Sequence, residues 1–119
     1  PTTHNPIHLT ENGLRRELAL LKVKLAGLPA DAIDKLPSQL SGGMRKRAGL
    51  ARAIAADPRV IFFDEPTTGL DPIRAAAINT LIRGIVDETG ASAITITHDM
   101  TSVRTIADRV AFLAGGRIA

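Results

Sequence analysis

Apolar residues recur along the chain at periods that predict its elements in order. Leu14, Leu18, Leu21 and Leu25 stand at i, i+4, i+7 and i+11, the spacing of one helical face. Thr10 is placed to cap that helix, and Gly27 and Pro29 end the pattern. The turn-rich stretch PADAIDKLPSQ follows. Ser41 is then an N-cap candidate ahead of Met44, Ala48, Ala51, Ile54 and Ala55, again at helical spacing. Val60 to Phe63 is an unbroken apolar run between Pro58 and DEP, the pattern of a strand buried on both faces in mid-sheet. Asp71 before Pro72 opens the clearest helix, whose apolar face of Ile78, Leu81, Ile82 and Ile85 runs up to Gly90. SAITIT predicts a strand leading to His98, DMTSVRTIAD a short helix capped by Asp99, and RVAFLAGG a last strand and turn, with a further strand starting at RIA. Residues 1–9, PTTHNPIHL, read as an irregular lead-in.

Strand, helix, strand, helix, strand is the order of a largely parallel α/β sheet. A composition shift near residue 58 divides the chain into a helical portion, 1–57, and an α/β portion, 58–119. With 119 residues, 45% hydrophobic and 23% charged, the whole has the size of one modest domain. The absence of cysteine excludes disulfides and thiolate metal sites and agrees with a reducing, cytoplasmic setting. No apolar run has membrane-spanning length, and the N-terminus lacks the order of a signal peptide. Because the chain opens on Pro1 and stops soon after the turn-like GG, it reads as a fragment. A net charge of +3 and a pI near 10.0 raise nucleic acid as a partner, but only Arg45, Lys46 and Arg47 are contiguous bases and the aromatics are three Phe. A solvated helix face is the expectation, with no nucleic acid bound.

Three short stretches carry candidate chemistry. In VIFFDE the apolar residues draw the strand into the sheet, so Asp64 and Glu65 emerge at its C-terminal end, where parallel sheets place ligands. A carboxylate there can hold magnesium, and a following one can orient or deprotonate water. The plainer alternative is that DEP merely opens a loop. His98 follows the apolar strand AITIT and should share that edge, where an imidazole can donate to a phosphate oxygen; a surface or capping role is the alternative. In LSGGM, the bare amides of Gly42 and Gly43 and the Ser41 hydroxyl at a helix N-terminus make an anion site. No Gly-Lys pair occurs anywhere, so a G-x-x-x-x-G-K-[ST] phosphate loop is absent from these residues.

The run LSGGMRKRAGLARAIAADPRVIFFDEPTTGLDP followed by ITHD resembles the second half of an ABC-type ATPase nucleotide-binding domain, from about Leu9 to the end. Signature motif, Walker B, D-loop and switch histidine come in the family's order. The resemblance implies a partial P-loop NTPase-type parallel sheet preceded by part of the helical subdomain. It implies that Ser41, Gly42 and Gly43 contact the γ-phosphate of ATP held by the opposite subunit, and that Asp64 lies near Mg2+. It further implies Glu65 as catalytic base, His98 as γ-phosphate switch and Asp71 as the D-loop aspartate that communicates across a homodimer. The Walker A half is missing, and Gln39 does not match the Q-loop glutamine, so these residues alone are expected not to hydrolyse ATP. Met44 stands where many members have Gln. LPSQLSGGM, LARAIAADP and a leucine-rich helix ending KLAGLP are similar to the ATPases of bacterial phospholipid importers. That similarity implies transmembrane permease partners, the helix of residues 14–27 and its flanks facing them, and a peripheral place on the cytoplasmic side of the inner membrane. For the leucine stripe itself, packing on the signature helix is the alternative. A soluble ABC ATPase of DNA repair or translation, or a non-enzymatic interaction module, are the rival readings. Without a neighbour, the edge of Val60–Phe63 is expected to pair with another copy.

Overall fold

In the computed structural model, which describes residues 10–119, the helices begin where a side-chain oxygen can satisfy a free N–H of the first turn. Helix α1, Glu11–Leu25, starts after Thr10, whose Oγ1 accepts from the Gly13 N–H at 3.0 Å. It ends where Gly27 turns left-handed (φ 77°) and the Leu28 N–H reaches back to the Val23 carbonyl at 3.1 Å. Helix α2, Gly42–Ile54, starts after Ser41, whose Oγ accepts from the Met44 N–H at 3.2 Å. These elements belong to a compact unit ending at Pro58; a second unit runs from Arg59 to Ala119. The expected lead-in, residues 1–9, lies outside the described residues.

The core of the first unit is Ala26, Leu28, Ala32, Leu40, Leu50, Ala51 and Ile54. Arg47 donates to the Gly27 carbonyl at 2.9 Å, and Lys22 pairs with Asp57, so the C-terminal end of α1 is tied to α2 and to the turn that follows it. The leucine stripe of α1 does not enter this core: Leu14 and Leu18 are exposed and Leu21 is 62% exposed. Half-buried Leu20 and Val23 face inward instead. The C-terminal half of α1, ALLKVKL, is apolar on two faces, so its period identifies a helix without identifying the buried side.

In the second unit, β1 (Val60–Asp64) and β2 (Ser92–Ile96) pair in parallel, from Val60 opposite Ser92 to Asp64 opposite Ile96. Between them runs α3, Pro72–Thr89, capped by Asp71 and closed by left-handed Gly90 (φ 69°). Ile61, Phe63, Ile78, Ile82, Ile85 and Ala91 form the core. Burial of β1 on both faces is corrected here: Ile61 and Phe63 are buried, whereas Val60 is exposed and Phe62 is 68% exposed. Exposed Ile94 shares that bare face, opposite Phe62. A continuous apolar run equips a strand for cover on both sides, and within this unit only one side is covered.

Helix α4, Met100–Ile106, follows its cap Asp99. The expected last parallel strand is also corrected. Leu113–Ala114 (β3) and Arg117–Ile118 (β4) form a separate antiparallel hairpin across Gly115 and Gly116, both at positive φ. Two consecutive left-handed glycines make a tight hairpin turn, and that local geometry prevails over extension of the sheet.

Candidate functional site

Strand β1 ends at Asp64, and the next residue breaks the extended geometry. Glu65 has φ 48°, a left-handed conformation strained for a residue with a side chain. Its N–H donates to the Ile96 carbonyl at 2.8 Å, so the strained residue is anchored to β2 while the chain turns away. One carboxylate oxygen, Oε2, accepts from the Thr68 hydroxyl at 3.2 Å. The other, Oε1, meets His98 Nδ1 at 2.8 Å.

His98 lies two residues beyond β2 and its side chain is open to solvent. An ionised carboxylate only accepts, so Nδ1 carries the proton of the contact, and Nε2 makes no hydrogen bond among the described residues. The hydrogen bond to Glu65, reinforced by its charge, raises the His98 pKa above the ordinary 6.5. Conversely, the His98 hydrogen bond holds Glu65 below the ordinary 4.5, helped by Thr68. Asp99 is also held low, chiefly by the Ser102 hydroxyl. Glu65, Thr67, Thr68, Gly69, His98 and Asp99 line an open cleft at the C-terminal ends of the strands.

The other sequence-selected residues fall as follows. Asp64 is exposed at the end of β1, and its carboxylate makes no hydrogen bond or ion pair among the described residues. Asp71 accepts from the Arg74 N–H at 2.9 Å and pairs with the Arg74 guanidinium at 3.5 Å, so its carboxylate is occupied in capping. Ser41, Gly42 and Gly43 belong to the first unit, at the start of α2, where a Cβ built on either glycine meets nothing within 4 Å. Neither glycine has positive φ. Among the described residues, nothing therefore requires them to be glycine.

No group of three or more His, Asp or Glu that could hold a metal occurs among the described residues. Magnesium does not need one: it keeps several waters and takes one or two carboxylates together with phosphate oxygens. A single free carboxylate, Asp64, fits that donor set.

Sequence reading missed Thr68, Thr67, Asn79 and Ser102. A signal for Asn79 was present, since an amide stands within the inward stripe of Ile78, Ile82 and Ile85. Ser102 carried none, because serine on a short helix is ordinarily exposed.

A parallel strand–helix–strand unit that brings carboxylates and a histidine to the strand C-termini is a P-loop NTPase-type arrangement. The chain belongs to the ABC transporter family, whose profile matches residues 3–68. It is 44% identical over 111 residues to the intermembrane phospholipid transport system ATP-binding protein MlaF of Haemophilus influenzae, covering 93% of this chain and 41% of that protein. It is equally 44% identical over 98 residues to the probable ribonucleotide transport ATP-binding protein mkl of Mycobacterium leprae, covering 82% of this chain and 28% of that protein. Among solved structures it is similar to the dimeric post-hydrolysis state of the ATP-binding cassette MJ0796 bound to ADP and Pi, with a TM-score of 0.72 and 32% identity. That match covers 91% of this chain and 45% of the other. The chain thus spans less than half the length of these relatives.

Proposed function

We propose that the chain is the signature-and-Walker-B portion of the ATP-hydrolysing subunit of an ABC transporter. The observation that carries this is the 2.8 Å contact between Glu65 and His98, two residues from different strand ends meeting in one open cleft. In this reading residues 1–57 contribute the helical subdomain portion and residues 58–119 the catalytic α/β portion.

Glu65 accepts the proton of the attacking water as the water aligns with the γ-phosphorus. Its lowered pKa keeps it ionised and ready to accept. His98 holds Glu65 through Nδ1 and presents Nε2 to a γ-phosphate oxygen. Asp64 provides the free carboxylate for Mg2+, which when bound neutralises developing phosphate charge. Ser41, Gly42 and Gly43 offer a hydroxyl and bare amides to the γ-phosphate of ATP bound by a second ATPase subunit. Open space around both glycines supports a ligand from outside the chain. Asp71 caps α3 beside the same loop and would report dimer closure through it.

The exposed leucines of α1 supply an apolar surface suited to permease subunits. No helix among the described residues is long and apolar enough to cross a membrane, which agrees with a peripheral subunit on the cytoplasmic face. For the cargo we favour a lipid, on the similarity to MlaF over 93% of the chain. The equal identity to mkl, named for ribonucleotide transport, leaves the ATPase reading independent of that choice.

The test is magnesium-dependent ATP turnover by the full-length protein. Hydrolysis should be abolished by Glu65→Gln, and the 119-residue chain alone should be inactive for lack of a G-x-x-x-x-G-K-[ST] loop. Undiminished turnover by the Glu65→Gln protein would sink the reading.

A further inference from the structure

Ser102 is 0% exposed, although serine is a residue that proteins seldom bury completely. Its hydroxyl meets three polar groups: Asn79 Nδ2 at 2.9 Å, Asp99 Oδ2 at 3.0 Å and Thr67 Oγ1 at 3.2 Å. Proton counting orients all three bonds. The Asp99 carboxylate only accepts, so Ser102 donates its single proton there. Its two lone pairs then accept the Asn79 amide proton and the Thr67 hydroxyl proton. The Ser102 hydroxyl is saturated, and every direction in the cluster is determined.

The partners come from three segments. Thr67 lies in the loop after β1, two residues beyond Glu65; Asn79 is on α3; Asp99 is the neighbour of His98. The hydroxyl therefore joins the loop that carries Glu65 to the turn that carries His98. We propose that Ser102, with Thr67 and Asn79, is a positioning clamp that holds Glu65 and His98 at hydrogen-bonding distance.

A merely structural role accounts less well for the cluster. Apolar side chains of the same volume would fill the space without burying the polar groups of Thr67, Asn79 and Ser102. Asn79 Oδ1 is buried with no hydrogen-bond partner, a penalty that generally costs about 1–3 kcal/mol. Retaining the amide at that cost is intelligible if its Nδ2–H is needed to orient Ser102. Thr68, which already bonds Glu65 directly, does not replace this link, because its hydroxyl makes no hydrogen bond to the His98 side among the described residues.

The clamp acts on the reacting pair of the proposed ATPase and so rests on that reading, but the pair's geometry can be observed separately. The imidazole titration of His98, followed by NMR, reports its contact with Glu65; Glu65 and Asp99 are the charged groups that act on it. Thr67→Val removes only the hydroxyl, Ser102→Ala removes the hub, and Thr67→Ser restores a hydroxyl. In the two deletion variants the His98 midpoint should fall towards that of Glu65→Gln, while Thr67→Ser stays with the unsubstituted chain. In the full-length protein the deletions should lower kcat about tenfold or more with the KM for ATP unchanged, the signature of misplacement rather than lost binding. Folded Thr67→Val with an unchanged His98 midpoint overturns the clamp, even if Ser102→Ala does not fold. Absence of ATP turnover in the unsubstituted full-length protein overturns the ATPase reading alone, and the titration still decides the clamp.

Discussion

Replacing Gly43 by alanine should strengthen the chain and disable the assembled protein. Gly43 occupies the second position of α2, with ordinary helical backbone and open space where a Cβ would stand. Alanine loses less backbone entropy than glycine on entering a helix, by roughly 0.5–1 kcal/mol in an interior. The first turn is only partly constrained by hydrogen bonds, so the lower figure of about 0.5 kcal/mol applies. At about 4–8 °C per kcal/mol for a small domain, the melting temperature should rise by about 2–4 °C. Thermal unfolding of the 119-residue chain followed by circular dichroism measures it. In the full-length protein the same methyl group would stand between the Gly43 N–H and a phosphate. Loss of one preorganised donor of this kind typically costs about 100-fold or more in rate. A Gly43→Ala chain that melts lower would show that the glycine serves the chain's own fold. A full-length variant that turns over ATP normally would remove the phosphate from the account.

Two further outcomes follow from the second unit. The Glu65–His98 pair makes stability depend on pH on both sides of neutrality's acid shoulder. The raised His98 pKa contributes stability that is full below 6.5 and is lost as pH rises through the higher folded value. The lowered Glu65 pKa contributes stability that is full above 4.5 and is lost as pH falls through the lower folded value. Denaturation midpoints across pH 3 to 9 should therefore show a contribution greatest from about 4.5 to 6.5 that vanishes in Glu65→Gln; a variant profile parallel to the original excludes it. The two-stranded parallel sheet also leaves ladder edges and the face of Val60, Phe62 and Ile94 open within its unit. Light scattering on the isolated chain should give a mass above 12.6 kDa, and a clean monomer at all concentrations contradicts self-association.

The legible features were those decided within a few residues. Thr10, Ser41, Asp71 and Asp99 each cap the helix that their positions announced, because capping needs only a side-chain oxygen and the N–H groups two or three residues on. Gly90 closes α3 for an equally local reason. VIFFDE and AITIT became paired parallel strands, since short apolar runs around a helix admit few other topologies. Open alternatives and one error, the two-sided burial of β1, arose where burial depends on what else is present. The leucine stripe of α1 and the outer face of β1 are apolar yet exposed, and their periodicity contains no information about which neighbour covers them. RVAFLAGG and RIA gave the strand, turn and strand that the sequence announced, but as a separate antiparallel hairpin, because the glycine pair turns the chain back on itself before it can join the parallel sheet.

For the site, the spacing of Asp64, Glu65 and His98 after apolar strands already placed these candidates together, because a parallel sheet sends its strand ends to one edge. Only the folded chain disclosed that Glu65 turns left-handed and meets His98 Nδ1 at 2.8 Å. Only the folded chain, likewise, collected Thr67, Asn79, Asp99 and Ser102 around one buried hydroxyl. Residue type and period report local preference; a hydrogen bond between Thr67 and Ser102, 35 positions apart, arises from the parallel register and the packing of α3 on α4. Local patterning thus named the elements and the candidate residues, while long-range packing decided which of them meet.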